Sequence, residues 1–431
     1  MRGDAPIDNK LSYISTIGDT RPALLSRGLI RIKAGNISTF FRSGASEIRP
    51  GRFPELDGLR GLFALGVLLV HLRMQSMYWS VIFMDGFFTL SSFLITRSLL
   101  ETQAKNNRQL LAGFYIRRFA RIFPAYYGLL FCIAVLMLLI NQVSDQLGLK
   151  AYTLSELIPY TLYVQYTQLF WQHDEINSFA NSNRFLLHTW SLAIEEQFYL
   201  IWGALFCIAR SIRIKAILAG LFIIIGIGSR ISGWVDSPLI TYRLDTFGYG
   251  IAFALLYHYA TQINNPALLK RWSRIIGIAT LASFAAFWTV TGSFTALWDY
   301  WAYGTPIELF QWSPASVLSS FGCGGVVFVL ACRRNAAWLA LFRSRAALYL
   351  GSISYCLYLV HYPIIDILLQ LRTPIMQFGY WTNVAAVLIL TIGIAHFATQ
   401  FFNWLHHKIL VRTGLRKTAT TELTASKAVA A

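Results

Sequence analysis

The sequence predicts an all-α protein: a polytopic transmembrane bundle of about ten helices, with the N-terminus and the C-terminus in the cytoplasm. Three observations lead to this prediction. The 431 residues are 55% hydrophobic and only 13% charged, about half the charged fraction of a soluble domain. Ten apolar runs are long enough to span a bilayer, and Lys and Arg residues cluster at alternate ends of these runs.

The apolar runs are separated by short polar loops, and no internal repeat is evident. A further apolar segment, 154–171, has polar interruptions, so it is interpreted as an amphipathic outer helix or a re-entrant piece. The predicted spans are 59–75, 80–100, 122–141, 189–209, 213–232, 245–261, 275–293, 313–332, 346–370 and 382–405.

Basic residues test the number of spans. With the N-terminus inside, 31 of the 37 Lys and Arg residues fall on the inner side or at inner helix ends. An odd number of spans would break this alternation, which supports an even count near ten. The net charge of +17 is therefore explained by basic residues on the inner side of the membrane, and nucleic-acid binding is not expected. The outer side receives Arg73, Lys150, Arg184, Arg230, Arg243 and Arg372.

The chain divides into three parts. Residues 1–52 are polar and basic without the apolar core of a signal peptide, and they are predicted to form a flexible cytoplasmic tail. Residues 53–406 form the transmembrane core, and residues 407–431 a short cytoplasmic tail, so no appended periplasmic domain is expected. The five cysteines lie in apolar runs without metal-ligand spacing, and no metal site is predicted.

The first span carries ionisable residues that cost free energy inside a bilayer and therefore need an explanation. Arg60 and His71 are eleven residues apart, which is within about 20° of three full helical turns, so they share one face about 16 Å apart. Asp57 falls within about 40° of that face. The alternative is a topogenic arginine with a histidine that snorkels to the outer interface.

Two further polar features follow. Asp85 lies near the outer end of the second span, where it could also be an interfacial helix cap. Arg117, Arg118 and Arg121 cluster on one helical surface at the cytoplasmic interface, a pattern suited to binding phosphates, although an ordinary positive-inside cluster would look the same. Pro124 is predicted to start the third span.

The fourth and ninth spans carry the remaining candidates. Glu195 and Glu196 lie about two turns into a helix that enters from outside, after His188 and Trp190, and they point about 100° apart. A pair of acids at this depth indicates function more than structure.

In the ninth span Tyr358 and His361 are i,i+3 neighbours, and Pro363 is expected to loosen the backbone nearby. A histidine that only satisfies bundle packing is an equal alternative for His361.

Five ordered segments carry a resemblance: LDGLRG with a histidine eleven residues after its arginine, then DGFFTLSSFLI, RRFARIFPAYY, WSLAIEEQFYL and SISYCLYLVHYPI. In this order they resemble the acyltransferase-3 family of bacterial integral-membrane O-acyltransferases, from about Phe53 to the last span. One departure is visible: Ser92 stands where the family usually has glycine. That change is expected to tighten helix packing or to alter the acyl pocket.

The resemblance implies a ten-helix core in the bacterial cytoplasmic membrane and an acyl-CoA co-substrate, usually acetyl-CoA, rather than a permanently bound cofactor. It implies that the acceptor is a hydroxyl of a polysaccharide or lipid-linked glycan, and a small-molecule acceptor stays open. It places catalysis at His71, with the CoA phosphates held by Arg60, Arg118 and Arg121 and assisted by Arg117.

In this scheme His71 acts as general base, or else as a covalent acyl carrier. Asp85, or Asp57, is expected to orient its imidazole. One acid, Glu195 or Glu196, completes the catalytic group, and the substrate is expected to contact Trp190, Tyr358 and His361. The competing classes are a secondary transporter or exporter with a buried His/Glu/Arg pathway and a non-catalytic scaffold.

Overall fold

The structure, a computed structural model, is helical and contains no strand over the residues that it describes. The predicted all-α class is therefore confirmed for this part of the chain. The predicted N-terminal tail lies outside it, as do Arg73, Lys150 and Arg372. The described residues are 53–72, 78–102, 104–147, 152–165, 184–232, 240–290, 315–333, 336–370 and 379–415.

Within those ranges, ten helices have 18 residues or more, and each overlaps one predicted span. The last runs six residues past the predicted end of the core at 406. Their bounds are α1 Pro54–His71, α2 Tyr78–Glu101, α3 Asn107–Leu147, α4 Trp190–Ile208, α5 Ile212–Ser232, α6 Leu244–Gln262, α7 Pro266–Val290, α8 Ala315–Cys332, α9 Arg345–Gln370 and α10 Tyr380–Arg412.

Six of these helices (α3, α4, α5, α7, α9 and α10) are long and apolar enough to cross a membrane. The other four (α1, α2, α6 and α8) are shorter or more polar, and most of their residues are buried by neighbouring helices. An enclosed helix can carry polar side chains that bond one another, whereas a lipid-facing helix needs an apolar outer surface. The chain is thus an integral membrane protein, and the count of ten crossings and the side of each terminus stay predictions.

Helix α3 corrects one predicted boundary. It begins at Asn107 rather than at Pro124, which lies in its interior. Its 41 residues extend about 60 Å, twice the thickness of the hydrocarbon layer. The Tyr355 hydroxyl of α9 donates a hydrogen bond of 2.9 Å to the backbone carbonyl of Ile122, two residues before the proline. Because the helix is continuous from Asn107, the basic residues before Pro124 belong to the same helix as the third span.

The segment predicted as amphipathic forms two short helical turns, Leu154–Leu157 and Ile158–Thr161. A capping box between Thr153 and Glu156 starts the first turn. Leu154, Ile158 and Leu162 are exposed, whereas Leu157 and Tyr160 are buried. Residues 166–171 of the predicted segment lie outside the described part of the chain.

Glycines bring α1 and α9 into backbone contact. A Cβ atom on Gly61 would lie 2.4 Å from the backbone nitrogen of Gly351, and a Cβ on Gly351 would lie 2.1 Å from the backbone oxygen of Asp57. No larger side chain fits at such distances, so these positions require glycine, as at other close helix crossings in membranes. This contact fixes the rotation of α1 against α9, and it sets which side chains meet farther along the pair.

Ser92, the departure from the family pattern, faces α6. Its side chain is fully buried, and its hydroxyl donates to the Thr89 carbonyl at 3.1 Å. A Cβ on Gly250 of α6 would lie 1.9 Å from the Ser92 Oγ atom. Glycine on the opposite helix thus makes room for the serine hydroxyl, so Ser92 belongs to the α2–α6 packing contact.

Candidate active site

A cavity of about 720 Å³, counted to its open mouth, lies between α1, α2, α3, α4 and α9. Arg60 of α1 and Arg118 and Arg121 of α3 line it. Arg121 is exposed, while Arg60 and Arg118 are half-buried. Three guanidinium groups around one cavity provide a binding site for phosphate or carboxylate groups.

Arg117 is not one of the residues that line this cavity. Neighbouring residues on a helix point about 100° apart, and the cavity meets the side of α3 that Arg118 and Arg121 share. Of the three α3 arginines predicted to cluster, Arg118 and Arg121 therefore face the cavity and Arg117 does not. The third arginine that lines the cavity is Arg60 of α1, as the prediction of a shared phosphate site requires.

The structure distinguishes the two adjacent glutamates. Glu195 lines the cavity and accepts hydrogen bonds from the Ser91 and Tyr199 hydroxyls. Glu196 is buried and does not line it, and its Oε1 atom has no hydrogen-bond partner among the described residues. The Arg118 guanidinium lies 5.4 Å from the centre of the Tyr199 ring. Glu195 is therefore the acid that stands beside the arginine site.

Beyond the cavity, His71 meets His361. The His71 Nδ1 atom lies 2.9 Å from the Val67 carbonyl and 3.3 Å from the His361 Nε2 atom. The His361 Nδ1 atom lies 2.6 Å from the Tyr358 carbonyl. These contacts fit one assignment in which both rings are neutral and carry their proton on Nδ1. The Nε2 atom of His71 then keeps its lone pair, as a base or nucleophile needs.

A third histidine, His188, completes this cluster, and the sequence assigned it no role. It lies in the helical turn Arg184–Thr189, with its ring centre 4.9 Å from that of His361. Its Nε2 atom lies 3.2 Å from the Leu359 carbonyl. That carbonyl would pair with the N–H of residue 363 in a regular helix, but Pro363 has none. The expected loosening at Pro363 thus leaves an acceptor for His188.

Arg60 and His71 lie on one continuous helix, so the predicted shared face and the separation of about 16 Å hold. His71, however, is not one of the residues that line the cavity. Ser191 and Tyr358 line the cavity, and the Tyr358 ring centre is 5.5 Å from that of His361. The structure therefore places two adjoining regions side by side: an arginine cavity and a histidine cluster.

Asp85 does not orient His71. Its carboxylate accepts hydrogen bonds from Arg243 at 2.7 Å and from the Ser319 hydroxyl. A second pair adjoins it: Arg230 donates to Asp245 at 3.0 Å, and the Asp85 carboxylate lies 3.9 Å from Arg230. All four charged side chains are fully buried. The two positive and two negative charges compensate one another, which makes their burial tolerable. Asp57 likewise lies 3.9 Å from Arg60 rather than at His71.

This network, the four-charge cluster, bears on two sequence predictions. Arg230 and Arg243 were counted among the basic residues of the outer side, and the structure shows that each pairs with an aspartate inside the bundle. Trp190, predicted to contact substrate, does not line the cavity, and its ring centre lies 6.0 Å from the Arg243 guanidinium. Pairing between residues that are far apart in the chain leaves no signal in the charge pattern of loops.

Some cavity residues escaped the sequence analysis: Ser91, Tyr199, Ser191, Ser354 and Tyr355. One of them, Tyr199, could have been found, because it lies four residues after Glu195 and therefore on the same helical face. The serines carry no such signal, since single serines are common in membrane helices.

The described helices form a membrane protein with a cavity lined by three arginines beside a histidine cluster. The chain belongs to the acyltransferase-3 family, whose model, described as an acyltransferase domain, matches residues 53–399. The resemblance seen in the five sequence segments is confirmed by this match.

Two relatives carry names that describe an activity. The peptidoglycan O-acetyltransferase OatA of Listeria monocytogenes is 29% identical over 337 residues, which are 75% of this chain and 50% of that protein. The O-acetyltransferase OatA of Staphylococcus aureus (strain NCTC 8325) is 27% identical over 333 residues, 73% of this chain and 51% of that protein. This chain spans about half the length of these relatives. No solved structure matches it.

Proposed function

We propose that this protein is an O-acyltransferase that moves an acyl group, in the simplest case acetyl, from cytoplasmic acyl-CoA to a hydroxyl group of an envelope glycan. The observation that carries the proposal is that α1 contributes Arg60 to the three-arginine cavity and, farther along the same helix, His71, whose contacts assign its ring proton to Nδ1. The relatives named as O-acetyltransferases support the same reaction class.

The cavity suits the donor. CoA presents several phosphate groups, and Arg60, Arg118 and Arg121 offer guanidinium groups that bind phosphate in a bidentate manner. Because α1 carries Arg60 and His71 about 16 Å apart on one face, an extended pantetheine arm can reach from the arginines toward the histidine. The free energy of phosphate binding would then fix how deeply the thioester lies within the helical bundle.

The histidine cluster suits the chemistry. The Nε2 atom of His71 would take the proton of the acceptor hydroxyl as its oxygen attacks the thioester carbonyl carbon. The C–S bond breaks, and the CoA thiolate leaves with the proton held by the imidazolium. His361 shares the Nδ1–H of His71 with the Val67 carbonyl and so stabilises the charged ring, the role that the sequence predicts for an aspartate.

A covalent version uses the same atoms. The Nε2 atom of His71 would itself attack the thioester, and the acyl-imidazole formed would pass the acyl group to the hydroxyl in a second step. This version suits a reaction in which donor and acceptor approach from opposite sides of the membrane. The two versions differ in whether labelled acyl group stays on the protein when donor is supplied alone.

The acceptor is proposed from the chemistry of the histidine and from the name of one relative. One relative is named a peptidoglycan O-acetyltransferase, and a glycan hydroxyl is the nucleophile that an imidazole base activates. The positive-inside pattern puts the arginine end of α1 on the cytoplasmic side, so the histidine cluster would face the envelope. The bacterial cytoplasmic membrane is the location that this arrangement requires.

The experiment uses the purified full chain in lipid nanodiscs with acetyl-CoA and a soluble peptidoglycan fragment. We expect free CoA thiol to appear together with an equal amount of acetylated fragment, seen by mass spectrometry. A secondary transporter would release no thiol, and that result would contradict the proposal. Release of thiol with an unmodified fragment would support thioester chemistry but exclude this acceptor.

A further inference from the structure

Tyr358 stands between the donor cavity and the histidine cluster. It lines the cavity together with Ser191. On its other side, its ring centre lies 5.3 Å from that of His188 and 5.5 Å from that of His361. Tyr358 is therefore in contact with both regions, whereas His71 does not line the cavity. Access from the donor cavity to His71 depends on where this ring lies.

Two hydrogen bonds hold the Tyr358 ring in this position. Its hydroxyl donates to the backbone carbonyl of His188. The Ser191 Oγ atom lies 2.5 Å from the same hydroxyl oxygen, and because the tyrosine proton is already used, Ser191 is the donor there. His188 lies in the helical turn Arg184–Thr189 just before α4 and Ser191 in the first turn of α4, while Tyr358 belongs to α9. The hydroxyl thus ties one helix to the other across the junction of cavity and cluster.

The backbone does not fix the position of the Tyr358 hydroxyl, because the ring can rotate about its own side-chain torsions. Rotation would break two hydrogen bonds between neutral groups, a modest barrier. The two bonds are therefore strong enough to favour a closed junction and weak enough for a bound ligand to open it. Phe87, whose ring centre lies 6.5 Å from that of Tyr358, lines the cavity on the same side.

We propose that the Tyr358 side chain is a partition that keeps the thioester in the donor cavity away from His71 and water until it swings aside, and so favours acyl transfer over hydrolysis. The proposal rests on the proposed acyltransferase function. A site that faces cytoplasmic donor at one end and an aqueous envelope at the other would otherwise cleave acyl-CoA with water, because water is the more abundant nucleophile.

The test measures thioester cleavage in nanodiscs with acetyl-CoA and no glycan acceptor. Tyr358→Phe keeps the ring and removes both hydrogen bonds, so we expect acceptor-independent CoA release to rise about tenfold, the population change expected when two hydrogen bonds of modest net strength are lost. The fraction of cleaved acetyl groups that reaches an added glycan should fall. Ser191→Ala removes one of the two bonds and should shift both readouts in the same direction by a smaller factor.

The matched control is Tyr115→Phe. Tyr115 of α3 likewise donates its hydroxyl to a backbone carbonyl of α4, that of Leu200 at 2.9 Å, but it does not line the cavity, so its loss should leave the ratio of hydrolysis to transfer unchanged. Unchanged or reduced hydrolysis in correctly folded Tyr358→Phe would overturn the partition. If that variant does not fold, the Ser191→Ala result decides in the same way. Absence of CoA release by the wild type even after the glycan acceptor is added would instead overturn the proposed function.

Discussion

Replacing His361 by phenylalanine tests how His71 is held. Phenylalanine keeps the aromatic contact with the His71 ring, whose centre lies 5.0 Å away, but it cannot accept the Nδ1–H of His71. A hydrogen bond to a charged partner contributes about 1.5–3 kcal/mol. The Val67 carbonyl keeps its own contact with the same Nδ1 atom at 2.9 Å, so the loss should lie at the lower end of this range. Since about 1.4 kcal/mol corresponds to a factor of ten in rate, we expect kcat to fall about tenfold. The Tyr358 carbonyl keeps a helical donor, because residue 362 is not a proline.

The assay is acetyl transfer from acetyl-CoA to a glycan fragment by the purified protein in nanodiscs. The KM for acetyl-CoA should stay within about twofold of the wild type, because the arginines are untouched. His396→Phe is the matched control: this histidine of α10 is buried too, but it meets Tyr349 and Gln400 rather than the histidine cluster. A kcat within about twofold of the wild type in His361→Phe, or an equal loss in the control, would refute the orienting role.

Three further changes test the donor site, the helix contact and the four-charge cluster. Arg118→Ala removes one of three phosphate contacts, so the KM for acetyl-CoA should rise about tenfold with kcat little changed, as steady-state kinetics will show. Gly61→Ala places a methyl group 2.4 Å from the backbone of Gly351, so α1 must move away from α9, and transfer should fall by at least about tenfold at normal membrane insertion. Asp245→Asn leaves Arg230 without its closest carboxylate and should lower the free energy of unfolding by about 3–5 kcal/mol, measured in detergent.

Each change has a control on a comparable position. Arg117→Ala, next to the phosphate site but outside the cavity lining, should leave the KM unchanged, and an equal rise would indicate a general charge effect. Gly220→Ala adds a methyl group with nothing within 4 Å and should keep full activity. Glu101→Gln breaks a surface ion pair with Arg97 and should cost less than about 1 kcal/mol. Equal losses in these controls would contradict the structural explanations.

The sequence predicted what lies within single helices. The positions of ten helices followed from hydropathy, and the shared face of Arg60 and His71 followed from helical geometry, because both depend only on residues that are close in the chain. The error at Pro124 came from a local rule too: proline favours a helix start, but it is also accommodated inside a long helix.

The contacts between helices could not be predicted in the same way. His71 and His361 are separated by 290 positions, and Arg243 and Asp85 by 158. Nothing in a single sequence distinguishes a basic residue that marks topology from one that pairs with a buried acid. For that reason Asp85 was expected beside His71, where the structure instead places another histidine.

Both versions of the mechanism, general base and covalent carrier, use the imidazole of His71. The most direct measurement is therefore transfer of labelled acetyl from acetyl-CoA by the His71→Ala variant. Insertion and CoA binding are checked in the same nanodisc preparation. We predict that CoA binds as it does to the wild type, while acetyl transfer falls by about 10²–10⁴-fold, the contribution of a general base. Transfer within about tenfold of the wild-type rate would contradict the assignment of His71 as the reacting group.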